Sequence, residues 1–151
     1  DLDLRTERFN QHETPGSLLV EVGASGNTLA EALRAKGVET VSMDLARCDM
    51  AEAVAQAFRF SKLVLATPTY NADVFPFMKD FINHLTERNY QNRTVGFIEN
   101  GTWAPAAAKI MKAMFEKSKN INYIDTTVTL RSAMTEENAE AIDRMAEELC
   151  R

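Results

Sequence analysis

The strongest chemical signal in the sequence is a short loop that suits a bound anion. Gly23–Thr28 separates an apolar run, Leu18–Val22, from a helical pattern, Leu29–Lys36. Glycine lets the backbone approach a ligand, and short polar side chains and unpaired amides meet where the helix begins. The positive end of the helix adds attraction for a phosphate, without any lysine or arginine in the loop. The candidate anion-binding residues are Ala24, Ser25, Gly26, Asn27 and Thr28.

The same loop also has an ordinary structural explanation. Asn27 or Thr28 can simply cap a helix after a turn that leaves a strand. The glycine spacing of dinucleotide-binding loops and the Gly-Lys-Ser/Thr ending of P-loops are both absent. From this stretch alone, a phosphate site and a plain helix cap remain open alternatives.

Two further loops each combine turn residues and hydroxyls with one large aromatic residue. Tyr70 lies in Pro68–Asp73, and Trp103 lies in Asn100–Pro105. A flat ring held between these loops would stack on one or both aromatic side chains, although either residue can instead be a packing residue. The candidate ring-binding residues are Pro68, Thr69, Tyr70, Asn71, Asn100, Gly101, Thr102 and Trp103.

The elements around these loops alternate between strands and helices. Apolar runs and period-two patterns predict strands, and apolar residues at helical spacing predict helices. The predicted strands are 18–22, 38–45, 62–67, 94–98 and 121–130, and the predicted helices are 29–36, one opening at Asp49 with Glu52 in its cap, 74–88, 106–119 and one capped by Thr135. This order predicts an α/β doubly wound fold, with a five-stranded parallel sheet and helices on both faces. For strand order 2-1-3-4-5, a ligand lies beyond the carboxyl ends of the first and third strands.

Composition limits the classes of protein that fit. The chain has 151 residues, 45% of them hydrophobic, which suffices for one buried core; residues 1–16 are polar and predict a tail or linker before a domain of residues 17–151. A net charge of −5 argues against nucleic-acid or anionic-membrane binding, and no apolar run is long enough to span a bilayer. Cys48 and Cys150 lack metal-like spacing and are expected to be free thiols in a cytoplasmic protein. Because the first residue is Asp, the chain is expected to be a piece of something longer.

The phosphate-loop residues resemble a known family. Ser25, Gly26 and Thr28 match the [ST]-x-[ST]-G-x-T loop that follows the first strand of flavodoxins, while Gly23 stands where that pattern has its first hydroxyl. Ala66–Asn71 is similar to the third-strand region of flavodoxin-like proteins, where the loop flanks the flavin ring. The resemblance covers nearly the whole chain from Ser17 onward.

The second aromatic loop narrows the resemblance. Glu99–Trp103, followed by an alanine-rich helix, is similar to the other flanking loop in the flavodoxin module of flavodiiron (A-type) flavoproteins. The resemblance implies non-covalently bound FMN that passes single electrons to a redox partner protein or domain, at an oligomeric state that stays open. In flavodiiron proteins the di-iron centre lies in a separate domain, and His12 and His84 cannot supply such a site here. The chain would thus be the electron-donating part of an oxygen or nitric oxide reductase, with no catalytic or metal-binding residue of its own.

Other functions remain open at this point. An FMN-dependent reductase of a small substrate such as a quinone needs little beyond the flavin itself, so the sequence allows either an electron-transfer flavoprotein or a domain of an oxidoreductase. A degenerate flavodoxin-fold module without flavin is a further alternative, because Glu21 is a carboxylate near the end of a predicted central strand. A receiver domain is disfavoured, since Thr67 and Pro68 end the third strand where an aspartate is needed. Asp73 and Glu99 are expected to be solvated loop acids.

Overall fold

The protein has one β-sheet that is five strands wide, with helices packed on both of its faces. The structure, a computed structural model, describes residues 14–21, 27–70, 73–74, 76–100, 107–124, 128–130 and 136–150. Its strands are β1 (Thr14–Glu21), β2 (Thr40–Asp44), β3 (Phe60–Tyr70), β4 (Asp73–Val74), β5 (Arg93–Asn100), β6 (Ile121–Tyr123) and β7 (Val128–Leu130). Its helices are α1 (Asn27–Ala35), α2 (Met50–Arg59), α3 (Pro76–Glu87), α4 (Ala107–Met114) and α5 (Glu136–Leu149).

The strand order confirms the predicted topology. The order across the sheet is β2-β1-β3-β5-β6, and all of these neighbours pair in parallel. β7 pairs in parallel with the later part of β5, so β6 and β7 together occupy the place of the predicted fifth strand. The two-residue strand β4 is antiparallel to the end of β3. When β5 is counted as the fourth strand and β6 with β7 as the fifth, this is the predicted order 2-1-3-4-5. The fold is therefore flavodoxin-like.

Two hydrophobic cores lie on the two faces of this sheet. Side chains of α2, α3 and α4 pack with Leu18, Leu65 and Phe97 on one face. Side chains of α1 and α5 pack with Leu19 and Val64 on the other. Because successive strand residues point to opposite faces, a strand covered on both sides must be apolar throughout, as β3 is from Leu63 to Ala66.

Several strand boundaries differ from the prediction. β3 continues to Tyr70, where the sequence predicts a loop from Pro68, because Thr69 and Tyr70 pair with β4. The predicted continuous strand over 121–130 is described as β6 and β7, and the N–H of Ile124 still donates to Val95 O at 3.0 Å. β1 begins at Thr14, within the predicted tail; residues 1–13 lie outside the described part of the chain, and the division into tail and domain stays a prediction.

Two helix predictions were also wrong in detail. Asp49 has extended backbone geometry at the start of α2, but its side chain makes no capping hydrogen bond; its carbonyl accepts from the Ala53 amide instead. α4 ends at Met114 rather than Lys119, because the following turn uses tighter three-residue spacing, as in the bond from Phe115 N–H to Lys112 O. The predicted cap Thr135 lies outside the described residues, and α5 begins with two glutamates, as predicted.

A buried arginine holds the amino end of β5. Arg93 is 1% exposed and donates to Phe60 O at 3.1 Å, to Phe58 O at 2.6 Å and to Gln91 O. Its guanidinium also lies over the ring of Tyr90, 5.4 Å from the ring centre. The positive charge therefore meets carbonyls at the end of α2, where a helix leaves its last carbonyls unpaired and the dipole favours a cation.

Candidate functional site

The carboxyl ends of β1, β3 and β5 lie side by side at one edge of the sheet. Glu21, the last residue of β1, is the register partner of Ala66 on β3, and Thr67 and Pro68 on β3 are the partners of Glu99 and Asn100. The order reverses between β1 and β3, since β2 lies outside β1. Such a reversal opens a crevice beyond the strand ends, where open α/β sheets bind ligands.

The structure places part of each predicted binding segment at this edge. Asn27 and Thr28 are the first two residues of α1; Pro68, Thr69 and Tyr70 end β3; and Asn100 ends β5. Seven predicted site residues lie outside the described part of the chain: Ala24, Ser25, Gly26, Asn71, Gly101, Thr102 and Trp103. The described positions bring the three segments to one edge, and the roles of the individual residues stay predictions.

The beginning of α1 has the chemistry that a phosphate needs. The first turn of this helix contains no acidic residue, so no carboxylate of its own competes for the amide groups there. α1 follows β1, and its start therefore lies next to the reversal in strand order. Unpaired amides and the positive end of the dipole together favour a phosphate group at this position. The described residues thus fit the phosphate of a mononucleotide.

Two buried polar residues lie on neighbouring strands just below the predicted loops. Thr67 on β3 and Glu99 on β5 are register partners, and both are buried, with Glu99 only 8% exposed. One carboxylate oxygen of Glu99 accepts a hydrogen bond of 2.9 Å from the backbone N–H of Ala108 in α4. The prediction that Glu99 is a solvated loop acid was wrong, because its carboxylate replaces water with an amide at the start of a helix.

The sequence did contain a signal for Glu99. Val95, Phe97 and Glu99 alternate along β5, and Val95 and Phe97 belong to the core shared with α4. Period-two spacing therefore places Glu99 on that same inner face. The first turn of α4 contains no acidic residue, so its amides need a partner from elsewhere in the chain. The structure does not describe the side chains of Glu21 and Asp73, the other two acids noted in the sequence.

Three further properties concern the described part of the chain as a whole. No helix in it is long and apolar enough to cross a membrane. No three His, Cys, Asp or Glu side chains within it come together in a way that would hold a metal ion. Cys48 is partly buried and Cys150 is exposed, and both carry free thiols.

The sequence of the chain matches a model of a known protein family. A family model described as NADPH-dependent FMN reductase matches residues 24–139. The match includes residues 24–28 of the anion loop, both aromatic loops and all strands from β2 to β7. Comparison with curated protein sequences gives no match.

Comparison with solved structures supports the fold over almost the full chain. A rubredoxin oxygen:oxidoreductase from Desulfovibrio gigas superposes with a TM-score of 0.85 at 15% identity, over 95% of this chain and 37% of its own. The flavodiiron protein from Giardia intestinalis gives 0.79 at 19% identity, over 94% and 37%. An archaeal flavodoxin gives 0.69 at 14% identity, over 91% of this chain and 100% of its own. The chain thus spans a little over a third of the two larger proteins and the full length of the flavodoxin.

Proposed function

The chain belongs to the NADPH-dependent FMN reductase family, and from that premise we propose that it is an FMN-binding electron-transfer module. FMN is the cofactor that the family and the flavodoxin-like fold imply, and the described residues fit its phosphate at the start of α1. When bound, the flavin supplies the redox chemistry. The protein then binds it, orients it and limits the access of water to it.

The observation that carries this proposal is the meeting of three segments at the reversal in strand order. The start of α1 and the ends of β3 and β5 all lie at that edge. We assign the phosphate to the anion loop, and the flavin ring to the space between the two aromatic segments. The proposed FMN contacts are Ala24, Ser25, Gly26, Asn27, Thr28, Pro68, Thr69, Tyr70, Asn71, Asn100, Gly101, Thr102 and Trp103.

The place of the module in a larger reaction is part of the proposal. The likeness to the Desulfovibrio and Giardia proteins, of which this chain spans 37%, supports a role as the electron-donating domain of a flavodiiron-type oxidoreductase. A redox partner protein or a neighbouring domain would then accept the electrons, in the cytoplasm. The family description supports a second candidate, an FMN-dependent reductase of a small substrate such as a quinone. Rapid NADPH consumption with a quinone, without any partner protein, would favour this second function.

The phosphate assignment is tested by comparing FMN with riboflavin, which lacks the phosphate. We expect the flavin-depleted chain to bind FMN more tightly than riboflavin. Replacing Thr28→Val should weaken FMN binding by about 1.5–3 kcal/mol and leave riboflavin binding unchanged, because one hydrogen bond to a charged group is lost. Titration followed by flavin fluorescence measures both affinities.

A matched control uses a threonine far from the site. The hydroxyl of Thr86 bonds to Asn83 O within α3, so Thr86→Val should change neither affinity. Equal binding of FMN and riboflavin by the unaltered chain would contradict the phosphate site. An unchanged FMN affinity in Thr28→Val would leave Thr28 as a helix cap only.

A further inference from the structure

A cavity lies at the amino ends of β5 and β6, at the opposite edge of the sheet from the proposed flavin site. Its volume is about 320 Å³. One wall is the end of α3 and the turn after it, with Thr86, Asn89, Tyr90 and Gln91, and the other wall is Lys117–Lys119, between α4 and β6. Because one water molecule occupies roughly 30 Å³ of liquid, this volume has room for a molecule of about ten or more non-hydrogen atoms.

The two walls of the cavity are bonded to each other. The backbone N–H of Asn92 donates to Lys119 O at 3.1 Å, and the side-chain amide of Asn120 donates to Asn92 Oδ1 at 2.9 Å. Asn89, Asn92 and Asn120 have φ values of 59°, 58° and 53°, in the left-handed region that asparagine tolerates better than most residues. The turns after α3 and α4 therefore form one connected structure, and the cavity has its shape before any ligand binds.

The charge around the cavity is positive. Lys117 and Lys119 are exposed lining residues, and none of the described residues that line the cavity carries a carboxylate. The acids nearest in the chain are Glu116, outside the lining, and Glu87, which lies 3.9 Å from Arg88. The nearby ends of α3 and α4 contribute about −0.5 charge each, so two ammonium groups leave a net charge of about +1.

The carbonyl groups at these helix ends already have donors. Leu85 O, near the end of α3, accepts from the N–H groups of Arg88 and Tyr90 at 3.1 and 3.2 Å. Ala113 O, near the end of α4, accepts from the N–H of Glu116 at 3.2 Å. These bonds reduce the repulsion that bare carbonyl oxygens would exert on an anion.

Four lining side chains have donors that are available to a ligand. Gln91, Lys117, Ser118 and Lys119 make no side-chain hydrogen bond or ion pair with the other residues that the structure describes. By contrast, the Thr86 hydroxyl bonds to Asn83 O at 3.2 Å. Two ammonium groups, one amide and one hydroxyl thus border the same cavity from both of its walls.

We propose that this cavity binds a small phosphate monoester whose organic part is polar, such as a sugar phosphate. A phosphate monoester carries close to two negative charges near neutral pH, which Lys117 and Lys119 neutralise, while Gln91 and Ser118 donate further hydrogen bonds. The organic part is a sugar rather than an aromatic base, because Tyr90, the aromatic residue of the lining, is fully buried and offers no exposed ring for stacking. The site does not depend on FMN, since it shares no residue with the proposed flavin contacts.

The probe is ribose 5-phosphate, added to the whole chain, with inorganic phosphate and ribose as comparisons. The start of α1 is also assigned a phosphate, so binding is located residue by residue from backbone amide NMR signals. We expect ribose 5-phosphate to shift the signals of Gln91 and Ser118 along one saturable curve, with a Kd of about 1 mM or below. Inorganic phosphate should bind more weakly, and ribose should cause no shift at these residues.

Three results of this titration would overturn the proposal. The first is the absence of a saturable shift at Gln91 and Ser118 up to about 10 mM ribose 5-phosphate. The second is a response confined to the start of α1, which would assign all phosphate binding to the proposed flavin site. The third is equal affinity for inorganic phosphate, which would mean that the cavity does not recognise the sugar.

Paired lysine variants test the role of the two ammonium groups. Lys117→Gln combined with Lys119→Gln should weaken ribose 5-phosphate binding at the cavity by about tenfold or more, because bonds to a charged group are lost. The control combines Lys36→Gln with Lys109→Gln: both lysines are exposed and outside the cavity, and the net charge changes by the same amount. The control should stay within about twofold of the unaltered chain, because salt screens distant charges.

The variants also have an outcome that contradicts the site. Unchanged affinity in the variant of Lys117 and Lys119 would overturn the proposal, and so would an equal loss in the control, since net charge alone would then attract the ligand. All four replaced lysines are exposed, so both double variants should fold, and urea unfolding checks this.

Discussion

Each end of β5 has a buried charged residue, and the two residues make different kinds of hydrogen bond. Arg93, at the amino end, donates to carbonyls of Phe58, Phe60 and Gln91. Glu99, near the carboxyl end, accepts from one amide in α4. Each charge complements a helix end: the cation meets the carbonyls that close α2, and the carboxylate meets an amide that opens α4.

The position of these bonds distinguishes the two ends. Arg93 joins the end of α2, the start of β3 and the turn before β5, all of which lie away from the proposed flavin site. Glu99 makes its bond across residues 101–106, which the proposal places over the flavin. The comparison indicates that the amino edge of the sheet mainly stabilises the fold, whereas the carboxyl edge, under the proposed function, also binds the flavin.

The largest expected effect comes from removing the charge at the amino end. Arg93→Met keeps the length of the side chain but leaves buried carbonyls without donors, and each such loss costs about 1–3 kcal/mol. We expect urea unfolding to show a loss of about 3 kcal/mol or more, with the FMN affinity of the folded protein unchanged.

A surface arginine provides the control for this change. Arg59 lies over the ring of Phe60 and 3.9 Å from Glu39, with over a third of its side chain exposed, so Arg59→Met should cost less than about 1 kcal/mol. A clear fall in the FMN affinity of Arg93→Met would contradict the conclusion that the amino end of β5 affects stability and not flavin binding.

Conservative substitutions at both ends sharpen the comparison. Lysine keeps the charge of Arg93 but lacks the planar guanidinium group, so it cannot donate to the same three carbonyls at once. Arg93→Lys should therefore lower the unfolding free energy by about 1–3 kcal/mol. Glu99→Gln keeps an oxygen that can accept from the Ala108 amide, and should cost less than about 1 kcal/mol. Both are measured by urea unfolding. If Glu99→Gln lost as much unfolding free energy as Arg93→Lys, the charge of Glu99 rather than its hydrogen bond would stabilise the start of α4.

The smallest expected effect concerns the tyrosine beside Arg93. Within the described residues the Tyr90 hydroxyl is buried without a hydrogen-bond partner, and its ring packs edge-on against Phe58. Removing an unpaired buried hydroxyl relieves a desolvation penalty, so Tyr90→Phe should raise the unfolding free energy by up to about 1 kcal/mol near neutral pH. A loss of stability instead would show that the hydroxyl does have a partner.

The same variant also predicts a pH dependence. Burial raises the pKa of Tyr90 above its usual value of 10.0, and the charge of Arg93 opposes this more weakly. Above pH 10 the unfolded chain therefore releases the phenolic proton while the folded chain keeps it, so folding stability falls as pH rises. In Tyr90→Phe this contribution to the alkaline fall should disappear, which urea unfolding between pH 9 and 11 measures.

The topology could be predicted from the sequence because it depends on patterns that are local. The continuous apolar run from Leu63 to Ala66 identified a strand covered on both faces, and apolar residues at helical spacing identified the helices. The order of strands then followed from the resemblance and the rule for crossovers. The extension of β3 to Tyr70 was missed because Pro68 and Asn71 have the composition of a loop, whereas the pairing of β4 with β3 decides the structure.

The position of the site was more predictable than its buried polar contacts. Glycines, hydroxyls and aromatic residues mark the three binding segments directly in the sequence. Arg93 bonds to Phe58 and Phe60, which are 35 and 33 residues away, and Glu99 bonds to an amide nine residues ahead, across a turn. Period-two spacing can place Glu99 on the inner face of β5, but the amide and the carbonyls that these two side chains bond are set by tertiary packing, which no local pattern encodes.

The lengths of the strands across the sheet have a consequence for self-association. The interior strands β1, β3 and β5 have 8, 11 and 8 residues, while the outer positions hold β2 with five and β6 and β7 with three each. An outermost strand exposes unpaired backbone groups that can recruit a strand from another chain, and a short one offers few of them. The apolar segments of β1 and β3 thus lie inside the sheet, and the outer strands that the structure describes offer a neighbouring molecule few backbone groups for an intermolecular sheet.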